Sequence, residues 1–124
     1  MNTDKKILII DDSESIRELI SFSLESYGYN VVKGNNGIDG LDKIKKHAQI
    51  DLIITDLNMP LMDGLTFLQE VRKVNRHQYT PILILTTESS LELRNKAKQY
   101  GATGWIIKPF DRDKLINVIQ KVIR

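Results

Sequence analysis

Apolar residues follow two alternating rhythms along the chain. Five short apolar runs, Ile7–Ile10, Val31–Val32, Leu52–Ile54, Ile82–Leu85 and Trp105–Ile107, alternate with five stretches of helical period. The longer runs are continuous, as in strands covered on both faces, and the short Val31–Val32 run predicts a sheet edge. The helical stripes are Ile16, Leu19, Ile20, Leu24 and Tyr27; then Ile38, Leu41, Ile44 and Ala48; then Leu65, Leu68 and Val71. Two more follow, Leu93, Ala97 and Tyr100, and finally Leu115, Val118, Ile119 and Val122. Gly28 and Gly101 stand where helices should end, since glycine accepts the left-handed conformation that closes them. Pro60 and Pro81 mark a loop and the start of a strand. Strict β–α alternation predicts parallel strands joined by right-handed crossovers, with helices on both faces. The fold class is α/β, a doubly wound (βα)5 domain.

In such sheets ligands bind in the crevice beyond the carboxyl ends of the strands. Those ends carry Asp11 and Asp12 after the first run, Asp56 after the third, Thr86 and Thr87 after the fourth, and Lys108 after the fifth. One aspartate at a strand end can be a helix cap, and Asp12 and Ser13 do stand where the first helix should begin. Three carboxylates, a hydroxyl and an ammonium on one rim are harder to attribute to capping. If the strand order is 2-1-3-4-5, the first and third strands are neighbours and Asp11, Asp12 and Asp56 crowd together. Like charges so close favour a bound proton or a cation. Hard oxygen ligands suit Mg²⁺, which keeps several waters and often a phosphate oxygen in its shell. Lys108 can neutralise the cluster without phosphate and contact phosphate when it is present. A carboxylate beside Mg²⁺ can attack phosphorus without a general base, with Thr86 donating to an equatorial oxygen. The pattern therefore indicates an acidic Mg²⁺-dependent phosphate site, and by itself does not choose the nucleophile.

Composition narrows the field. A length of 124 residues suits one domain spanning 1–124, with 41% hydrophobic and 27% charged residues, ordinary for a globular protein. The formal charge of +2 is small and the Lys and Arg residues are scattered, which gives no ground for a nucleic-acid or membrane partner. Absence of cysteine excludes disulfides, thiolate metal sites and a cysteine nucleophile, and is compatible with the cytoplasm, the expected location. No stretch approaches a membrane span or a signal peptide. His47 and His77 fall in loops away from the strand ends and are expected to be solvated.

Four stretches in order, "ILIIDDS", "ITDLNMPLMDG", "LILTTE" and "GATGWIIKPF", resemble the receiver domain of two-component response regulators along the whole chain. The resemblance implies a flavodoxin-like, CheY-like sheet of order 2-1-3-4-5. It implies that Asp56 is the phosphoacceptor and that Asp11 and Asp12 hold Mg²⁺, one directly and one largely through water. Asn58 would add a backbone carbonyl to the metal, Thr86 would be the switch hydroxyl, and Lys108 would contact the phosphoryl group. It also implies a cis peptide between Lys108 and Pro109. Trp105 falls at the switch aromatic position, where Tyr or Phe is usual, so a role needing a phenolic hydroxyl is absent. Such domains are phosphoacceptor signalling proteins that catalyse their own phosphorylation from small donors and their own slow dephosphorylation.

A single receiver domain without an output domain is expected, acting by binding as a monomer. The "DLNMPLMDG" loop is especially similar to chemotaxis regulators of CheY type. That likeness implies a sensor histidine kinase of CheA type as phosphodonor and a flagellar motor switch protein of FliM type as target. A phosphorelay intermediate passing its phosphoryl group to a histidine phosphotransfer domain is the alternative. A different class, a slow Mg²⁺-dependent aspartyl-phosphate phosphatase, is disfavoured because Asn58 stands two residues after Asp56, where an acid would be needed. A flavin binder would need a Ser/Thr/Gly-rich loop where Asp11 and Asp12 stand.

Overall fold

A computed structural model of the protein describes residues 4–123. Its strands are β1 (Lys6–Ile10), β2 (Asn30–Gly34), β3 (Leu52–Thr55), β4 (Ile82–Thr86) and β5 (Gly104–Ile107). Its helices are α1 (Glu14–Glu25), α2 (Gly37–Lys46), α3 (Gly64–Arg72), α4 (Leu91–Gln99) and α5 (Arg112–Val122), with a short 3-10 turn at Asn75–His77. The strands form one parallel sheet in the order β2-β1-β3-β4-β5. The doubly wound architecture and the order expected from the resemblance are both present.

Alternate residues of the central strands feed two cores. Ile7, Ile9, Leu52, Ile54, Leu83 and Leu85 point to α1 and α5, where Ile20, Leu24, Leu115 and Ile119 meet them. Leu8, Ile10, Ile53, Ile82 and Ile84 point the other way, against Ile44, Phe67, Leu68, Val71 and Ala97 of α2, α3 and α4. Strands buried on both faces need apolar side chains at every position, which is why their runs are continuous. β2 lies at one edge and is half-buried, as its short run predicts. β5 is the other edge, so its continuous run does not mean full cover, and Ile107 is 43% exposed.

Helix boundaries follow local chemistry. Ser13, Asn36, Asp63, Ser90 and Asp111 cap the five helices, each side chain accepting a backbone N–H of the first turn. Ser13, rather than Asp12, caps α1. Gly28 and Gly101 have φ of 90° and 100°, as their helix-ending role requires. The stripes need correction at their margins. Leu19 and Ile38 are about half exposed, at 52% and 50%, and Ala48 lies beyond the end of α2 and is exposed. In α1 the buried line runs through Ile20 and Leu24, and Leu19 stands about 100° around the helix from Ile20, on its flank.

His77 also departs from expectation. It is 2% exposed, in the 3-10 turn, with Nδ1 2.8 Å from the Thr80 hydroxyl. Burial, and then the charges of Arg76 and Arg72, lower its pKa below the ordinary 6.5. Arg72 reaches the same region from α3. One guanidinium nitrogen donates to the carbonyls of His77 and Thr80, both at 2.7 Å, and the other donates to Gly101 O at 2.6 Å. One cation thereby joins three chain segments beneath the amino ends of β4 and β5.

Candidate functional site

The sheet register brings the expected residues together. Ile10 pairs with both Gly34 and Thr55, Thr55 pairs with Ile84, and Thr86 pairs with Ile107, so the carboxyl ends share one side of the sheet, with β4 and β5 running two residues beyond β1 and β3. The ladder continues just past the strand ends. Asp56 N–H donates to Ile10 O at 3.0 Å, Asp11 N–H to Gly34 O at 3.2 Å, and Lys108 N–H to Thr86 O at 2.8 Å. The polar side chains therefore stand on a backbone that the sheet itself holds.

Asp11 and Asp56 are buried, at 2% and 9% exposure, and Asp12 is exposed. Each of the three offers a carboxylate oxygen, and these oxygens lie within 4.8 Å of one another. The Lys108 ammonium donates to Asp11 Oδ2 at 2.6 Å and to Asp56 Oδ2 at 2.8 Å. Burial alone would lower its pKa, but the hydrogen bonds to Asp11 and Asp56 and the charge of both hold it above the ordinary 10.5. Three carboxyl groups against one ammonium leave the crevice acidic, and an all-oxygen donor set of this kind matches the preferences of Mg²⁺. The Lys108–Pro109 peptide is cis, as the resemblance implies.

Backbone donors complete the local geometry. Leu57 N–H donates to Asp56 Oδ1 at 2.6 Å, and Ser13 N–H donates to Asp11 Oδ1 at 2.9 Å. Arg17 of α1 donates to Asp11 O at 2.6 Å, tying the helix to the end of β1. At Gly64 a Cβ would collide with Asp56 O, so the loop after β3 can return over the site only with glycine there.

Thr86 is fully buried, and its hydroxyl accepts Glu88 N–H at 3.3 Å; Thr87 beside it is exposed. The Asn58 side chain donates to Glu88 Oε1 at 3.2 Å, and Trp105 Nε1 donates to Glu88 O at 3.2 Å. Glu88 thus touches the site through Asn58, the strand end through Thr86, and the β5 edge through Trp105. Sequence reasoning assigned it no role, although it stands inside the quoted "LILTTE" stretch. The missing signal was its backbone, which forms two of its three links. Trp105 is half-buried against the α4 side of the sheet and lines a groove of about 350 Å³ with Leu91, Arg94, Ala97 and Lys98. Arg17 was missed for a similar reason, since its partner is a carbonyl.

Comparison with known proteins is decisive about lineage. Residues 7–120 match the response regulator receiver domain. This chain belongs to that family. The receiver domain fold is shared in detail with chemotaxis protein CheY4 of Vibrio cholerae, at a TM-score of 0.92 and 43% identity, covering 96% of this chain and 98% of that one. Response regulator ArlR of Staphylococcus aureus is 37% identical over 119 residues, 96% of this chain and 52% of ArlR. The receiver domain therefore spans about half the length of that curated relative. A third relative is the receiver domain of sensor histidine kinase PA1611 from Pseudomonas aeruginosa, solved with a magnesium ion coordinated in its active site cleft. It is 27% identical with a TM-score of 0.87, and the match covers 95% of this chain and 96% of that one. Among the described residues no helix is long and apolar enough to cross a membrane.

Proposed function

We propose that this receiver domain is a cytoplasmic, monomeric, phosphorylation-controlled binding protein of chemotaxis, with Asp56 as its phosphoacceptor. The observation that carries the reading is the convergence of Asp11, Asp12, Asp56 and Lys108 on one rim, with Lys108 bridging the two buried carboxylates. Phosphoryl transfer forms a bond from an Asp56 carboxylate oxygen to phosphorus and breaks the P–N bond of a phosphohistidine, whose ring nitrogen leaves with the electron pair. Leu57 N–H steadies one Asp56 oxygen, and Lys108 exchanges its bond to the other for one to the phosphoryl group. Asp11, Asp12, Asp56 and the Asn58 carbonyl are the proposed Mg²⁺ ligands. Mg²⁺ bound there would offset the crowded carboxylates and the charge on the phosphoryl oxygens.

Thr86 and Trp105 carry the signal outward in this reading. The Thr86 hydroxyl accepts Glu88 N–H and Glu88 O accepts from Trp105, so a shift of Thr86 towards a phosphoryl oxygen would be felt at Trp105 through Glu88. The face made by α4, β5 and α5 then changes population, and a partner that prefers one arrangement binds. Likeness to CheY4 supports a CheA-type histidine kinase as donor and a flagellar motor switch protein as target.

The test is affinity for an N-terminal motor-switch peptide and for a histidine phosphotransfer domain, before and after phosphorylation by acetyl phosphate with Mg²⁺. The chemotaxis reading predicts peptide binding strengthened at least about tenfold by phosphorylation. Unchanged peptide affinity, with rapid passage of the phosphoryl group to the phosphotransfer domain, would replace it by the relay reading.

A further inference from the structure

The amino end of the sheet carries a groove that the acidic site does not use. Its volume is about 610 Å³, within the range of small-molecule sites, and Arg72, Tyr79, Gln99, Gly101, Thr103 and Lys121 line it. Hydrogen bonds fix its walls. Thr103 N–H donates to Ile82 O at 2.8 Å, and the Thr103 hydroxyl accepts Ile82 N–H at 3.0 Å. Gly101 N–H donates to Lys98 O at 3.0 Å, and Arg72 ties Gly101 O to Thr80 O. A ligand therefore meets a groove that is already formed, which lowers the ordering cost of binding.

The lining is unbalanced in charge. Arg72 and Lys121 are its cations, and none of the lining residues is acidic. Arg72 uses three of its five N–H donors on carbonyls. At Gly101 a Cβ would stand 2.8 Å from Arg72 Nε, so glycine there leaves that edge of the guanidinium uncovered. Lys121 is exposed and makes no ion pair among the described residues. Tyr79 is 90% exposed, an aromatic ring left in water at the edge of the groove, where it offers a stacking face. The amides of Gln78 and Gln99 supply donors and acceptors for the edge of a heterocycle.

We propose that this groove binds a nucleoside monophosphate, with the base stacked on Tyr79 and the phosphate between Arg72 and Lys121. A phosphomonoester carries about two negative charges at neutral pH, which the two cations match. The acidic crevice at the opposite end of the sheet repels the same phosphate unless a metal intervenes. Binding without Mg²⁺ therefore belongs to the amino end.

The test is calorimetric titration of the unmodified chain in EDTA with AMP, GMP, CMP and UMP, and with adenosine and inorganic phosphate as separated halves. It is repeated with Tyr79→Ser and Lys121→Gln, whose exposed positions leave the fold intact. At least one nucleotide should bind saturably, about tenfold or more tighter than either half, and each variant should weaken it about tenfold. Amide chemical shifts in the unmodified chain should move at Tyr79, Gly101 and Thr103 and stay fixed at Asp11, Asp12 and Asp56. Absence of saturable binding by all four nucleotides would overturn the proposal. So would inorganic phosphate binding as tightly as the nucleotide, which would reduce the groove to a bare cationic patch. Unchanged affinity in either variant, or shifts centred on Asp56, would overturn it as well.

Discussion

Each end of the sheet contains one cation that organises it, and the two are used differently. Beneath the amino ends, Arg72 donates to the carbonyls of His77, Thr80 and Gly101, neutral acceptors that belong to the chain. Above the carboxyl ends, Lys108 donates to Asp11 and Asp56, acceptors that repel one another and Asp12. Arg72 is a five-donor fork matched to fixed partners, whereas Lys108 is a point charge on a flexible stem that can change partners. The lesson is that cations of similar burial can serve opposite ends. One locks loops together and the other keeps a crowded acidic site compact until something else neutralises it.

Removing each cation should separate these roles. Arg72→Ala loses three charge-assisted bonds, and chemical denaturation should show a loss of about 3 kcal/mol that Mg²⁺ does not reverse. Phosphorylation by acetyl phosphate should persist wherever the variant is folded. Lys108→Met leaves Asp11 and Asp56 facing each other without their counter-charge. A loss of about 2 kcal/mol is expected, smaller than for a sealed pair because Asp56 opens to the crevice, and Mg²⁺ should recover part of it. An Arg72→Ala defect rescued by Mg²⁺, or a Lys108→Met defect indifferent to it, would break the comparison.

The same contrast appears in pH dependence. The folded pKa of Lys108 is raised, so its contribution is fully present below the unfolded value near 10.5 and is lost as pH rises through the folded value. The stability gap between the unmodified protein and Lys108→Met should therefore close only at strongly alkaline pH. His77, beside Arg72, has the opposite sign. Its folded pKa is lowered, so its contribution is present above the unfolded value near 6.5 and declines as pH falls through the folded one. Its Nε2 is buried without a partner among the described residues, which adds to the cost of protonation. Urea midpoints between pH 7 and pH 5 should fall for the unmodified protein and fall less for His77→Asn. Parallel curves would remove His77 from the account. The smallest expected effect is Trp105→Phe, which removes the bond to Glu88 O at a cost of about 1 kcal/mol by denaturant titration.

Legibility in the sequence followed the same division. The carboxyl-end site could be read because its parts are side chains at strand ends, and parallel pairing puts those ends on one side of the sheet. Asp11, Asp12, Asp56, Thr86 and Lys108 lie on one rim for that reason. The amino-end clamp was invisible, because Arg72 binds carbonyls that any residue would supply and the 3-10 turn that buries His77 has no periodic pattern. Glu88 and Arg17 escaped notice for the same reason. Leu19 and Ile38 were placed with the apolar stripes although each stands on a helix flank or end, where periodicity gives weak guidance. The positive φ at Leu61 has no compositional mark.

The central claim is that Asp56 is the phosphoacceptor of an acidic, Mg²⁺-dependent site. Its most direct test is intact mass after incubation with acetyl phosphate, with and without Mg²⁺, for the unmodified protein and Asp56→Asn. The account predicts one added phosphoryl group that requires both Mg²⁺ and Asp56. An unmodified mass under every condition, or equal labelling of Asp56→Asn at the same site, would contradict it.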